Sequence, residues 1–298
     1  MNTLAIIAPL ALICFLGYFT VRVALFNKQQ IDGLSAVCFN LLIPLFLFRT
    51  TYQTDLSAEI SLNWFASFYL PVICYFVLVY TFNKWRNKST AKATLESLTA
   101  SYSNTVLIAI PVITFYLSEQ SAGRAFVLIA FHSAILFSFT ELLINNTGYK
   151  TILRTLKNPI VLSILGGLTC NLIGLPIPSE LLDPLATLSK SAIPLALFGL
   201  GASIYFLPIK GNRSLALVYS LAKLVLLPLM AFLLAKYGFD LSKEQIFIVV
   251  LLVASPTGVG AYIMAKKYQQ SENTAATTVV FSTLLSPLTY YLWIEFLY

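Results

Sequence analysis

Two short stretches concentrate the side chains able to bind a solute. One reads Ser101-Tyr-Ser-Asn-Thr-Val-Leu-Ile-Ala-Ile-Pro111, the other Ala254-Ser-Pro-Thr-Gly-Val-Gly-Ala261. Each sets hydroxyl or amide groups beside helix breakers: Pro256 removes a backbone donor, while Gly258 and Gly260 lower helix propensity. In an apolar segment, the backbone groups freed by a break must be satisfied by protein, water or a bound solute. A break also creates two helix ends, an N-terminus that attracts anions and a C-terminus that attracts cations. Ser101, Ser103, Asn104, Thr105, Pro111, Pro256, Thr257, Gly258 and Gly260 are therefore candidate binding residues. A plain proline kink explains either break alone. Two breaks with Ser, Thr or Asn beside each favour a binding crossover.

Few ionisable groups lie inside the apolar runs. Lys223 sits about nine residues into one of them, roughly 14 Å from its end. A lysine at that depth costs about 3 kcal/mol on insertion scales. It can attract an anion, serve as a fixed charge that makes a coupling cation unnecessary, or hydrogen-bond to broken-helix carbonyls. Lys190 lies nearer an end, where snorkelling is open to it. His132 can titrate during function or be a buried, hydrogen-bonded histidine. Glu141 reads as interfacial, and Asp32, Asp55, Asp183 and Asp240 fall in or beside loops. A central lysine without a central carboxylate favours anions over cations. Cys14, Cys38, Cys74 and Cys170 form no C-x-x-C pair and read as small buried apolar side chains.

The elements that hold these residues follow from composition. Of 298 residues, 58% are apolar and 10% charged, too few charges to cover a water-soluble domain of this size. Ten apolar spans are expected, near 3–26, 31–52, 61–83, 94–117, 121–145, 158–175, 184–207, 214–236, 243–267 and 273–296. The runs are continuous, which argues against a β-barrel. Loops after odd-numbered spans, with the adjoining span ends, carry thirteen Lys and Arg, including Lys84, Arg86, Lys88, Lys92, Lys150 and Arg154; those after even-numbered spans carry four. The positive-inside rule then puts both termini outside the cytoplasm, and the net charge of +7 reads as a topology signal. Met1–Phe19 has no Lys or Arg, so the first span is expected to be retained.

The chain also repeats itself. Ile43-Pro-Leu-Phe-Leu-Phe48 recurs as Ile193-Pro-Leu-Ala-Leu-Phe198, and Ala100-Ser101 recurs as Ala254-Ser255. Tyr116-Leu-Ser-Glu119 resembles Tyr268-Gln-Gln-Ser-Glu272 with one insertion, and Lys190 takes the repeat position of Asn40. The expected halves are 1–149 and 150–298. Five spans per half is odd, so the second half is inserted upside down, a pattern typical of secondary transporters. There is no G-x-x-x-x-G-K-[ST], HExxH or G-x-S-x-G, so neither an ATP-driven motor nor a hydrolase is expected, and no enzyme, cofactor, metal or nucleic-acid partner.

Several runs then resemble a known family. They are Ser103-Asn104 with Pro111, Asn158-Pro159, Ala192-Ile-Pro-Leu-Ala-Leu-Phe-Gly-Leu-Gly-Ala-Ser203, Lys223-Leu-Val-Leu-Leu-Pro228 and Ala254-Ser-Pro-Thr-Gly-Val-Gly-Ala-Tyr262. The chain resembles the auxin efflux carrier family of bacterial and plant permeases, over essentially its whole length and most closely in its second half. The resemblance implies an all-α polytopic fold of ten helices in two inverted repeats, with helices 4 and 9 broken and crossing. It implies a scaffold of spans 1, 2, 6 and 7, a transport unit of spans 3–5 and 8–10, and frequent homodimers. Span 9 has no proline matching Pro111, and the large cytoplasmic loop of plant members is absent, so the form is prokaryotic in type. The expected function is secondary transport of a small organic anion, such as a carboxylate, across the plasma membrane. Ser101, Ser103, Asn104, Thr105 and 256–260 would line the site and Lys223 would supply charge. Pro111, Asn40, Lys190 and His132 complete the candidates. Coupling to H+ or Na+ in a bile-acid-symporter-like fold, and a membrane sensor that moves nothing, stay open as alternatives.

Overall fold

The computed structural model describes residues 3–54, 61–145 and 157–298. Asp55, Lys150, Arg154 and the expected join of the halves at 149/150 lie outside the described residues. Among the described residues the chain is helical, with no strand longer than one isolated bridge. The helices are α1 (Thr3–Arg22), α2 (Lys28–Val37), α3 (Ile43–Gln53), α4 (Leu62–Trp85), α5 (Thr90–Ser101), α6 (Ile110–Tyr116), α7 (Glu119–Ile129) and α8 (His132–Asn145). There follow α9 (Pro159–Leu172), α10 (Ser179–Lys190), α11 (Ala192–Tyr205), α12 (Arg213–Leu221), α13 (Leu227–Leu233), α14 (Lys243–Ala254), α15 (Val259–Lys267) and α16 (Glu272–Leu297). Ser or Asn side chains cap α2, α4, α5, α7, α9, α12 and α14, each accepting an amide of the first turn.

Seven helical segments among the described residues are long and apolar enough to cross a membrane. The other three expected spans contain shorter helices: α9 alone, α5 with α6, and α14 with α15. Solvation is inverted relative to a soluble protein. Along α16, Leu284, Leu288, Leu292 and Phe296 are exposed at a spacing of four, while Thr277, Thr278, Ser282, Thr283 and Ser286 are buried. Outward leucines and inward hydroxyls fit a helix solvated by lipid.

Three π-helical turns stand just before prolines: Cys38–Leu42 before Pro44, Thr105–Ala109 before Pro111, and Ala222–Leu226 before Pro228. Proline clashes with the carbonyl four residues earlier and donates nothing to it. A widened turn relieves the clash and leaves a local bulge. Asn40, Thr105 and Lys223 all sit on these bulges.

The described residues form two compact units. The first holds 3–54, 110–131 and 157–206. In it α1 packs on α11 nearly backbone to backbone: a Cβ on Gly17 would lie 2.0 Å from the Phe198 carbonyl oxygen, and one on Gly201 1.8 Å from that of Cys14. The Asn171 amide donates to the carbonyls of Tyr52 and Thr54, joining α9 to the end of α3. Residues 110–131 depart from the division implied by family resemblance, which put all of spans 4 and 5 with the transport unit. Their side chains explain the placement: Phe126 meets Phe46 edge-on at 5.6 Å, and the Tyr116 hydroxyl donates to Thr3 Oγ1 at 2.7 Å. The cysteines are free, but of the four expected to be buried only Cys38 is: Cys14 and Cys170 are partly exposed and Cys74 exposed, since a lipid-facing surface accommodates a thiol as a core does.

The second unit holds 61–109, 132–145 and 207–298. Its core wraps α14, whose residues from Gln245 to Ala254 are all buried. Against it pack α4, α13, α16 and the π-helical turns at Thr105–Ala109 and Ala222–Leu226.

Candidate functional site

The second unit contains both breaks. α5 ends at Ser101 and α14 at Ala254, and the chain then runs extended, with ψ 120° at Tyr102 and 144° at Ser255. The two extended stretches pair antiparallel, with Ser103 opposite Thr257. The Asn104 amide donates to the Pro256 carbonyl at 2.8 Å, and the Gly258 amide donates to the Tyr102 carbonyl at 3.0 Å. Each break therefore satisfies the other. Side chains complete the work. Thr257 Oγ1 donates to the Thr99 carbonyl at 3.1 Å, the Thr257 amide donates to Ser282 Oγ at 3.0 Å, and the Tyr290 hydroxyl donates to the Leu251 carbonyl at 2.7 Å.

The glycines do more than break a helix. Gly258 has an ordinary backbone, φ −73° and ψ 143°. A Cβ there would lie 2.5 Å from Tyr102 Cε1, and one on Gly260 would lie 2.9 Å from that same atom and 2.8 Å from Phe137 Cζ. Both glycines clear space for the Tyr102 ring. That ring stacks on His132, with centroids 5.1 Å apart and planes 9° apart, and its hydroxyl lies 2.8 Å from Ser133 Oγ. Tyr102, Ser133 and Phe137 escaped the sequence reading, although Tyr102 stands between two residues it did select.

His132 Nε2 accepts the Ser103 amide at 3.2 Å. An accepting Nε2 carries no proton, so the ring is neutral and Nδ1 is the donor. That Nδ1 and the hydroxyl of Ser103 are both buried and unpartnered. The half-buried Asn104 carboxamide makes no hydrogen bond either. Three polar groups near the crossing thus have no protein partner. A side chain with an acceptor at the Nε2 position should preserve the Ser103 contact. His132→Gln is therefore expected to melt close to wild type in detergent. His132→Leu should lose about 1–3 kcal/mol through the buried orphan amide.

The other candidates sort by unit. Lys223 is fully buried in this unit, and its ammonium donates to the Val253 carbonyl near the end of α14. Ser101 is buried, its hydroxyl turned back to the Ser97 carbonyl at 2.8 Å; Thr105 is also buried, and its turn packs on α14. Pro111, Asn40 and Lys190 belong to the first unit. Pro111 is the second residue of α6, while Asn40 and Lys190 are exposed. The structure thus brings Ser101, Ser103, Asn104, Thr105, 256–260, His132 and Lys223 into one unit, without those three.

Near the start of α5 lies a second polar cluster that the sequence reading missed. Glu96, 1% exposed, pairs with Lys88 and accepts from the Tyr219 hydroxyl at 2.8 Å and Ser271 Oγ at 3.0 Å. Lys88 also donates to Asn83 Oδ1 at 2.8 Å. Glu141, expected at the interface, is 4% exposed and held by Lys267 and the Tyr268 hydroxyl. Its partners come from the end of α15, which is why its own segment does not reveal them.

Sequence comparison with known proteins identifies relatives among membrane transporters. The chain is 22% identical over 295 residues to the "Putative malonate transporter" of Rhizobium meliloti, covering 95% of this chain and 92% of the relative. It is 24% identical over 308 residues to an uncharacterized transporter of Methanothermobacter thermautotrophicus, covering 98% and 97%. The membrane transport protein family matches residues 3–148 and 143–294. With helices of membrane-spanning length, two broken segments paired in one unit and a family match along its length, the chain belongs to the membrane transport protein family, the auxin efflux carriers.

Proposed function

We propose that this protein is a secondary transporter of a small organic anion, a mono- or dicarboxylate, bound where the two broken helices meet. The observation that carries the reading is the crossing itself. Deep in an apolar unit, the backbone is self-satisfied while Ser103 Oγ, His132 Nδ1–H and the Asn104 carboxamide are left unpaired. Buried polar groups without partners are costly, and a carboxylate can accept from a hydroxyl, an imidazole N–H or a carboxamide. Two helix starts flank the same place: the turn at Thr105 and α15 at Val259, where Gly258 supplies no side-chain cap. A helix N-terminus favours negative charge. The name of the Rhizobium meliloti relative makes malonate the first substrate to test.

The reading includes ten spans in two inverted repeats, 1–149 and 150–298, in the plasma membrane with both termini outside. Supporting it, α5 and α14 are each 12 residues long and capped by Ser89 and Ser242. The residues opposed in the bridge, Ser103 and Thr257, are 154 positions apart, the same interval as Ala100 and Ala254. Residues that meet at a two-fold axis are repeat equivalents. Alternating access then moves one helix set against another around the crossing.

The test is uptake of labelled malonate, and of a panel of mono- and dicarboxylates, into proteoliposomes. Asn104→Ala should lower uptake about tenfold, one hydrogen bond to an anion, with little change in melting temperature because the side chain supports nothing else. Wild-type vesicles that accumulate no carboxylate, or an Asn104→Ala variant that transports as well as wild type, would overturn the reading.

A further inference from the structure

We infer that Lys223 is a tethered cation that stands in for a coupling ion at the end of α14 and thereby releases the Ser103 hydroxyl to bind substrate. The inference rests on the transport reading above and follows from comparing equivalent carbonyls in the two breaks. At the interval of 154 residues, Thr99 corresponds to Val253 and Thr257 to Ser103. The Thr99 carbonyl, near the end of α5, accepts the Thr257 hydroxyl at 3.1 Å. By the same symmetry the Val253 carbonyl would accept the Ser103 hydroxyl. It accepts the Lys223 ammonium instead, and Ser103 Oγ is left buried and without a partner.

The exchange replaces a hydroxyl donor by an amine able to carry positive charge, at one helix C-terminus only. Carbonyls at the end of a half-helix are where secondary transporters hold small cations. Lys223 occupies such a carbonyl, is fully buried, sits on the bulge before Pro228 and forms no ion pair with any described carboxylate. Its charge favours an anion at the crossing, and the free serine hydroxyl supplies a donor for it. One substitution relative to the symmetric arrangement thus provides both charge and ligand.

The experiment is a double-mutant cycle read by melting temperature in detergent, together with malonate uptake. Ser103→Ala alone should leave the melting temperature unchanged or raised, because its hydroxyl has no partner, while lowering uptake about tenfold. In a Lys223→Met background the serine should turn to the Val253 carbonyl, so adding Ser103→Ala should now lower the melting temperature by about 2 °C or more. Sodium or methylammonium should raise the melting temperature of Lys223→Met and not that of wild type. Wild-type uptake should be equal in sodium and N-methylglucamine media.

Additive effects of the two substitutions, or wild-type uptake that requires sodium, would overturn the inference. Should Lys223→Met not fold, Ser103→Ala still decides, since a melting temperature lowered by that change alone contradicts a free hydroxyl. If wild type transports no carboxylate, the function proposed above fails, while the melting cycle reports on Lys223 regardless.

Discussion

Gly201→Val is expected to yield little folded protein. The reason lies in the contact between α1 and α11, where a Cβ on Gly201 would sit 1.8 Å from the carbonyl oxygen of Cys14 and 2.6 Å from its carbonyl carbon. Those atoms belong to a helix backbone and cannot rotate away as a side chain would. The helices must separate, and the reciprocal contact of Gly17 with Phe198 opens with them. In a bilayer no hydrophobic gain offsets the loss, since lipid tails are as apolar as the partner helix. The cost should exceed about 3 kcal/mol, visible as aggregation on size exclusion or a large drop in melting temperature. Gly199, two residues away, is the internal control. A Cβ there meets only Ser35 Oγ at 3.6 Å, ordinary contact, so Gly199→Ala should behave like wild type. Equal behaviour of Gly199→Ala and Gly201→Val would show that the close approach does not govern folding.

Lys88→Met should be nearly as damaging, for an electrostatic reason. Glu96 is 1% exposed, and Lys88 is the cation that pairs with it. Tyr219 and Ser271 donate to the carboxylate but bring no charge. Removing one partner of a buried pair typically costs about 3–5 kcal/mol, because an uncompensated charge remains. Neutralising both should restore much of that loss. The Lys88→Met/Glu96→Gln double variant is therefore expected to melt well above Lys88→Met alone. A double variant no more stable than the single would mean that Lys88 acts through packing and its bond to Asn83 instead.

Much of the crossing was legible in the sequence because its signals are local. Proline and glycine act on their own backbone, so Ala254-Ser-Pro-Thr-Gly locates the second break to within a residue or two, whereas the first, at Ser101, holds neither and stands well before Pro111. The lysine inside an apolar run was equally plain. Its partner was not, because the Val253 carbonyl lies 30 positions further on and any residue type offers one. The same limit hid Tyr102. Its selection depends on cavities at Gly258 and Gly260, and on a histidine ring from α8. Glu96 drew no notice because the hydroxyls that hold it, Tyr219 and Ser271, lie 123 and 175 positions further along the chain. The π-helical bulges had a local cause, the prolines, but apolar periodicity does not register one extra residue in a turn. Residues 110–131 sorted with the first unit through contacts of Phe126 and Tyr116 with α3 and α1, which no span count reveals.

The paired stretches at the crossing have a kinetic signature. The Asn104 and Gly258 amides are each held by the opposite strand, at 2.8 and 3.0 Å, so neither exchanges with solvent unless the two strands part together. Deuterium uptake at these two positions should be slow, equal and lost simultaneously. Their common exchange rate then clocks how often the crossing opens, giving a timescale for its separation without any substrate present.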